Sequence, residues 1–388
     1  MMGRGTKLLL LTSILLLLLP ACRGGGQATV EPTKGEVYVY VAAPLSGFQA
    51  NGGQTVVGGV RLMAEQINKA GGLLGYKVVV VELDDEADSD VAVAMAEEVR
   101  EAVQEGKQVI GVIGHYNSGQ TLAAMDIYKD LPLVIITPTA SGMSINPLSY
   151  SNFFRVNANN EVQAQADAEF LVSNLGAKRV AVLYNDDETY GIDLGRRTVN
   201  ALRTLGAEVV LERMVALEQS EFAEEVKAIA AANPDAIFYA GYEIEAPYLR
   251  ADLVHAGITV PFLASDGAFL SATIDESEGT AEGMYVSAFA PSPAQAVDEN
   301  WIREYQEVER RNPDTYSVNG YSALEVLAEG VKKAGKFDAA QVAAAIRSLS
   351  LQTPMGKIAY DAQGELADAP IYIFQVQNEE WVQVYPVP

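Results

Sequence analysis

Residues 109–142 read VIGVIGHYNSGQTLAAMDIYKDLPLVIITPTASG. Val109 to Gly114 is short and apolar throughout, as a strand buried on both faces requires. His115-Tyr116-Asn117 interrupts it, Ser118 to Lys129 continues with helical character, and Leu133 to Thr137 is a second apolar run. Strand, crossover helix, strand is the parallel βαβ unit. Each strand ends in a polar turn: His115-Tyr116-Asn117-Ser118 after the first, Thr137-Pro138-Thr139-Ala140-Ser141-Gly142 after the second. The carboxyl ends of such strands are where open α/β sheets bind their ligands.

The same alternation extends outward from this stretch. Val37 to Ala43 and Lys77 to Leu83 are strands, Val56 to Ala70 is a helix stopped by Gly71-Gly72, and Ser89 to Glu105 is a helix. The pattern restarts with helical Val162 to Asn174, followed by strand Arg179 to Tyr184, helix Gly191 to Leu205 and strand Glu208 to Arg213. Phe222 to Ala232, Ala236 to Ala240, Ala246 to Ala256 and Pro261 to Ala264 continue it. The last third holds helical stretches at Asp298 to Arg311, Tyr321 to Ala334 and Ala339 to Leu349, then short strands near Ile358 and Ile371 to Gln375. No fixed-period repeat is present, which argues against a solenoid. The expected fold is α/β, with two doubly wound parallel-sheet lobes.

The 388 residues are 49% hydrophobic and 20% charged, a globular balance. Lys plus Arg is 27 against 51 Asp plus Glu, a net charge of −24. A surface of that sign does not neutralise phosphates, so nucleic acid is not expected as a partner, nor is a polybasic membrane patch. One cysteine excludes an intramolecular disulfide and a cysteine zinc cluster, and two histidines, His115 and His255, exclude a multi-histidine metal site. No P-loop and no Gly-x-Ser-x-Gly elbow occurs. His115, Ser118 and Asp126 lie close in sequence, but Asp126 sits two turns along the helix and points away from a triad. The acidic run Asp84-Asp85-Glu86-Ala87-Asp88-Ser89-Asp90 lacks the glycine and late glutamate of a calcium loop. It reads as a solvated loop with acids placed at the next helix N-terminus. An enzyme is therefore not expected, because no base and nucleophile are positioned together.

Arg4 and Lys7 precede an apolar run from Leu8 to Leu19, too short for the roughly 20 residues of a spanning helix. Residues 1–21 fit a cleaved export signal. Leu19-Pro20-Ala21-Cys22 resembles the bacterial lipoprotein signal, in which the cysteine becomes a lipidated N-terminus. Residues 22–35, rich in Gly, Thr, Gln and Pro, read as a flexible tether. Loss of residues 1–21 removes two cations and no acid, making the exported chain two units more negative.

The remaining strand ends carry a complementary chemistry. Ala181 to Tyr184 delivers Asn185-Asp186-Asp187-Glu188-Thr189-Tyr190, Ala236 to Ala240 delivers Gly241-Tyr242-Glu243, and Phe262 to Ala264 delivers Ser265-Asp266-Gly267. One lobe thus offers hydroxyls and a helix N-terminus that Ser118 can cap. The other offers aromatic rings and a carboxylate. A zwitterionic amino acid needs that pairing: donors for its carboxylate, an acceptor and ring faces for its ammonium.

Pro44-Leu45-Ser46-Gly47, Gly71-Gly72-Leu73-Leu74-Gly75, Asp84-Asp85, Ile113-Gly114-His115, Asp126-Ile127-Tyr128, Ile136-Thr137-Pro138, Tyr190-Gly191 and Gly241-Tyr242, in that order and spacing, resemble the Leu/Ile/Val-binding proteins of branched-chain amino acid ABC transporters. The resemblance runs from about Val37 to Tyr385. It implies a type I periplasmic binding fold, with lobe 1 formed by 36–156 plus 290–355 and lobe 2 by 157–289 plus 356–388. A three-segment hinge would cross near Val156 to Asn160, Ala288 to Pro293 and Pro354 to Lys357.

It also implies roles. Ser118 and Ser141 would hold the ligand carboxylate, the Thr139 carbonyl would accept from the ammonium, Tyr190 and Tyr242 would close over the ligand, and Asp266, where the family often has Glu, would pair with the ammonium. Asn51 replaces an aromatic common in its loop, with Phe48 nearby, while Tyr116 and Asn117 stand where smaller or apolar residues occur. Phe48, Tyr116, Asn117 and Tyr316 are the candidates for the side-chain pocket. The implied function is capture of a small amino acid, branched-chain or otherwise neutral aliphatic, and its delivery to an ABC permease by an exported monomer. That monomer would need no cofactor and would touch the membrane only through lipid on Cys22. The alternative is the same fold binding an amide- or urea-like compound, or acting as a sensor.

Overall fold

The computed structural model describes residues 31–147, 149–187 and 189–386. The expected signal segment, Cys22 and most of the tether lie outside them. The first lobe runs β1 (Glu36–Ala43), α1 (Ala50–Lys69), β2 (Lys77–Asp84), α2 (Ser89–Gln104), β3 (Val109–Gly114), α3 (Ser118–Tyr128), β4 (Val134–Thr137) and β5 (Phe153–Arg155). Its sheet is parallel, in the order β2-β1-β3-β4-β5. Strand order reverses between β1, which pairs β2 on one side, and β3 on the other. That reversal opens a crevice at the carboxyl edge.

The second lobe runs α4 (Asn160–Glu169), continued by a π-turn over Phe170–Asn174, then β6 (Arg179–Asn185), α5 (Gly191–Thr204), β7 (Glu208–Val215), α6 (Ala223–Ala232) and β8 (Ala236–Ala240). It continues with α7 (Ala246–His255), β9 (Phe262–Ala264), α8 (Ser271–Asp275) and β10 (Tyr285–Ala288). The chain returns to lobe 1 for α9 (Pro293–Ala296), α10 (Glu299–Glu309), α11 (Thr315–Ala334), α12 (Ala339–Arg347) and the hairpin β11 (Ser350–Thr353) and β12 (Gly356–Ala359). It ends in lobe 2 with β13 (Tyr372–Gln377) and β14 (Glu380–Tyr385). The lobe 2 sheet has the order β14-β13-β10-β9-β8-β6-β7, with β6 flanked by β7 and β8 at a second reversal point. The β13–β14 pair is antiparallel and extends an otherwise parallel sheet.

The third crossing differs from expectation. Pro354 and Met355 form the turn between β11 and β12, in which Thr353 pairs Gly356. The following segment stays on lobe 1: the Tyr360 hydroxyl donates to Arg155 O at 2.9 Å, and Glu365 pairs with Arg155 at 3.2 Å. The chain therefore crosses between Glu365 and Tyr372, and 356–365 belongs with lobe 1. A Pro-Met-Gly turn interrupts an apolar pattern much as a linker does, so the sequence pattern alone does not separate the two.

Helix α11 begins at Thr315, six residues before its apolar periodicity makes it recognisable, because Asp314 and Ser317 close a reciprocal capping box over its first turn. It packs along α1 with backbones almost touching. A Cβ on Gly59 would fall 2.0 Å from Ser317 O, and one on Gly320 would fall 2.1 Å from Val56 O. Glycine at both positions permits this approach and brings Tyr316 and Asn319 to the cleft.

Candidate functional site

Three loops from the carboxyl edge of the first sheet form one wall of the cleft. Asn117, rather than Ser118, is the N-cap of α3, yet it makes no side-chain capping bond, and the first turn holds no acid. Its amide donates instead to Gln49 Oε1 at 2.5 Å. The leading N–H groups of α3 thus lack a side-chain acceptor at the positive end of the helix. Ser118 Oγ accepts from Ser141 N (3.1 Å) and Gly142 N (3.0 Å). With both lone pairs used, the hydroxyl has only its proton left to give. Ser141 Oγ is buried and without a partner. Two hydroxyls beside an uncapped helix start offer donors suited to an anionic group without a lysine or arginine.

The loop bearing these groups is pinned from behind. Arg155, fully buried, donates from Nη1 to Ala140 O (2.8 Å) and from Nη2 to Gly142 O (3.0 Å), and also reaches Ile145 O. Thr137 Oγ1 donates to His115 O and accepts from Ala140 N, both at 2.9 Å. Asn157 Nδ2 donates to Thr139 O at 3.0 Å and Asn319 Nδ2 to Pro138 O at 3.1 Å. The Thr139 carbonyl therefore keeps one lone pair for a ligand. His115 is buried, with Nδ1 at 2.6 Å from Asp85 Oδ2 and Nε2 at 3.2 Å from the Tyr128 hydroxyl. That pairing makes it part of the scaffold and corrects the acidic-loop reading in one respect: Asp88 does cap α2, but Asp85 is buried rather than solvated.

The opposite wall comes from the second sheet. Tyr190 and Tyr242 stack with centroids 5.2 Å apart. The Tyr190 hydroxyl donates to Asp266 Oδ1 at 2.7 Å and accepts from Gly267 N at 3.0 Å. Gln163 Nε2 also donates to Asp266 Oδ1, at 2.9 Å. The Tyr242 hydroxyl donates to Asp187 Oδ2 at 2.7 Å. Burial pushes the Asp266 carboxyl up from 3.8 to about 6, against the Tyr190 and Gln163 donors that favour its ionised form. A cation arriving beside it would relieve that burden.

Between the walls lies a narrow cavity lined by Tyr116, Asn117, Ser118, Thr139, Ser141, Tyr190, Tyr242, Asp266, Gly267 and Tyr316. Its unfilled space, counted to the atom surfaces and including part open to solvent, is about 260 Å³. Nine of the ten expected binding residues meet here. The tenth, Phe48, is 37% exposed and lines a neighbouring surface recess with Gln49, Gln120 and Leu217. It follows Gly47 on the loop after β1 and turns outward, so the wall expected of it comes instead from the Tyr116–Tyr316 pair, at 5.4 Å between centroids. Gly267, Gln163 and Arg155 were not anticipated. Arg155 carried a signal, a lone cation in the apolar run Phe153-Phe154-Arg155-Val156.

Residues 36–380 match the family model for periplasmic binding proteins. The chain belongs to that family. It is a family of extracytoplasmic binding proteins rather than enzymes. An amino acid binding protein of Pseudomonas aeruginosa is 30% identical over 88% of this chain and 90% of its own length. A leucine-, isoleucine-, valine-, threonine- and alanine-binding protein of the same organism is 27% identical over 90% of this chain and 92% of its own. Among solved structures, a leucine-binding protein of Thermotoga maritima superposes with a TM-score of 0.80 at 26% identity, covering 89% of this chain and 97% of that one. An isoleucine complex of a branched-chain amino acid binding protein from Streptococcus pneumoniae shares the fold, with a TM-score of 0.79 at 20% identity over 90% and 99% of the two chains. Among the described residues no helix is long and apolar enough to cross a membrane.

Proposed function

We propose that this protein captures a small amino acid between its two lobes and hands it to an ABC permease. The names of its relatives make neutral aliphatic amino acids the first class to test. The observation that carries the proposal is a division of labour across one cavity. The unpartnered Ser141 hydroxyl and the uncapped start of α3 stand on one side, and Asp266 stands on the other. Ser118 and Ser141 hold the ligand carboxylate, the free lone pair of Thr139 O and Asp266 take the ammonium, and Tyr190 and Tyr242 cover it. Tyr116, Asn117 and Tyr316 face the side chain. A ligand bridging both walls favours the closed arrangement in proportion to contacts the open one lacks. The lobes close on the hinge crossings, and the permease reads the closed shape. Cys22 is the lipid attachment, and the exported protein works as a monomer.

Isothermal titration of the protein with the twenty amino acids tests this reading. At least one should bind saturably, its des-amino and des-carboxy analogues should not, and Asp266→Ala should abolish the binding. Silence across the panel, or a mutant that binds like wild type, would reject it.

A further inference from the structure

None of the residues lining the cavity is Leu, Ile, Val, Met or Phe; four are tyrosines and one is Asn117. All four tyrosine hydroxyls are already committed to the protein, Tyr190 and Tyr316 to Asp266, Tyr242 to Asp187, and Tyr116 to Tyr316. Behind this wall, next to the lining residues and not one of them, lies Glu243, 2% exposed, with neither Oε1 nor Oε2 meeting a hydrogen-bond partner. It follows Tyr242 in the turn after β8, and its backbone N–H donates to Gly267 O at 3.1 Å, so two of its neighbours are cavity residues. From the other lobe, Tyr116 and Tyr316 lie within reach of its charge.

A buried carboxyl with both oxygens unsatisfied is costly, and native structures keep such groups where something else supplies the partner. We propose that Glu243 is a specificity-determining residue, and that the cavity prefers an amino acid whose side chain carries an N–H or O–H donor over a branched aliphatic one. The inference rests on the amino-acid reading above. Burial raises the Glu243 carboxyl to about 8, so at neutral pH it is predominantly protonated, with one oxygen to accept and one proton to give. A carboxamide matches that pair, a hydroxyl matches half of it, and an ammonium would draw the carboxyl back to its ionised form. A branched aliphatic chain satisfies neither oxygen.

The test is isothermal titration of wild type and two variants. The ligands are Gln, Asn, Ser, Thr, Lys and ornithine against Leu, Ile and Val, with Ala as the reference lacking a donor. Glu243→Met is similar in length and apolar, whereas Glu243→Gln keeps hydrogen-bonding capacity. The expected result is that a donor-bearing ligand binds at least about tenfold tighter than the best branched aliphatic one. Glu243→Met should remove that advantage while changing Ala affinity by less than about threefold, and Glu243→Gln should retain most of it. Ranking among amide, hydroxyl and ammonium ligands identifies the donor. Leu, Ile or Val binding tightest, with Glu243→Met neutral or tighter for them, overturns the proposal and leaves the amino-acid reading intact. Absence of binding by any amino acid overturns both. Should Glu243→Met fail to fold, the wild-type ranking together with Glu243→Gln decides.

Discussion

The Tyr316 hydroxyl of the first lobe donates to the Asp266 backbone carbonyl of the second at 2.5 Å. The bond spans the cleft and ends on the residue assigned to the ligand ammonium. With the Asn51–Ser271 contact at 3.4 Å and the Met143 N–Asp193 bond at 3.3 Å, it joins the lobes around the cavity.

Tyr316→Phe deletes that link and keeps the ring. A neutral hydrogen bond contributes about 0.5–1.5 kcal/mol, so ligand affinity should fall about three- to tenfold. Most of the change should appear as faster release in stopped-flow measurements, because opening precedes escape. An unchanged release rate would remove Tyr316 from the closure.

The two serines should behave differently. Ser118→Ala orphans the amides of Ser141 and Gly142, and should cost about 1–3 kcal/mol of stability as well as about 10–100-fold in affinity. Ser141→Ala removes a hydroxyl that no protein group satisfies. The unliganded protein should melt at the same temperature or higher, while affinity falls about tenfold. Thermal melts with and without ligand separate the two. A loss of unliganded stability in Ser141→Ala would show that its hydroxyl has a structural partner.

Arg155→Leu strips donors from the carbonyls of Ala140, Gly142 and Ile145 and leaves Glu365 unpaired. Urea unfolding should record a loss of roughly 3 kcal/mol. The loop bearing Ser141 should loosen as well, so the variant, where folded, should bind ligand more weakly. Retained affinity would separate the buried arginine from the site.

Two pH dependences of opposite sign follow from burial. Glu243 rises from 4.5 to about 8 and Asp266 from 3.8 to about 6. The folded, unliganded protein holds these protons more tightly than the unfolded chain. The stabilisation is complete below about pH 4 and is lost as pH rises through about 6 and then about 8. Melting temperature without ligand should therefore fall across that window, and Glu243→Gln should flatten its upper part. Glu325, raised to about 7 in α11, contributes to the same slope. Ligand affinity runs the other way, because the ammonium needs ionised Asp266. Below pH 6 it should drop about tenfold per unit. A flat affinity profile down to pH 5 would argue against Asp266 as the ammonium partner.

Sequence patterning carried the alternation of strands and helices and the identity of the residues at strand ends. A parallel strand ends where its apolar run ends, so Ser118, Thr139, Ser141, Tyr242 and Asp266 were legible as edge residues, and the second lobe's carboxylate could be named. Burial inside loops was not legible. Asp85 and Asp88 are three residues apart in one acidic run, yet one is sealed against His115 and the other caps α2. Phe48 was misplaced because the turn at Gly47 decides its direction, and nothing in its type reveals that. Strands as short as β5 and β10 fall below any periodicity. Glu243 was legible as a strand-end residue, but its burial without a hydrogen-bond partner was not.

The crossing of α1 and α11 at Gly59 and Gly320 acts as a gauge block. Its thickness is set by the absence of two methyl groups, and Tyr316 rides on the helix whose height it fixes. Alanine at either glycine would insert a spacer beneath α11, lifting the aromatic lid away from Tyr116 or tilting it toward the second lobe. Chain positions that never touch a ligand can thus retune the bore of the cavity, with its charged ends left as they are.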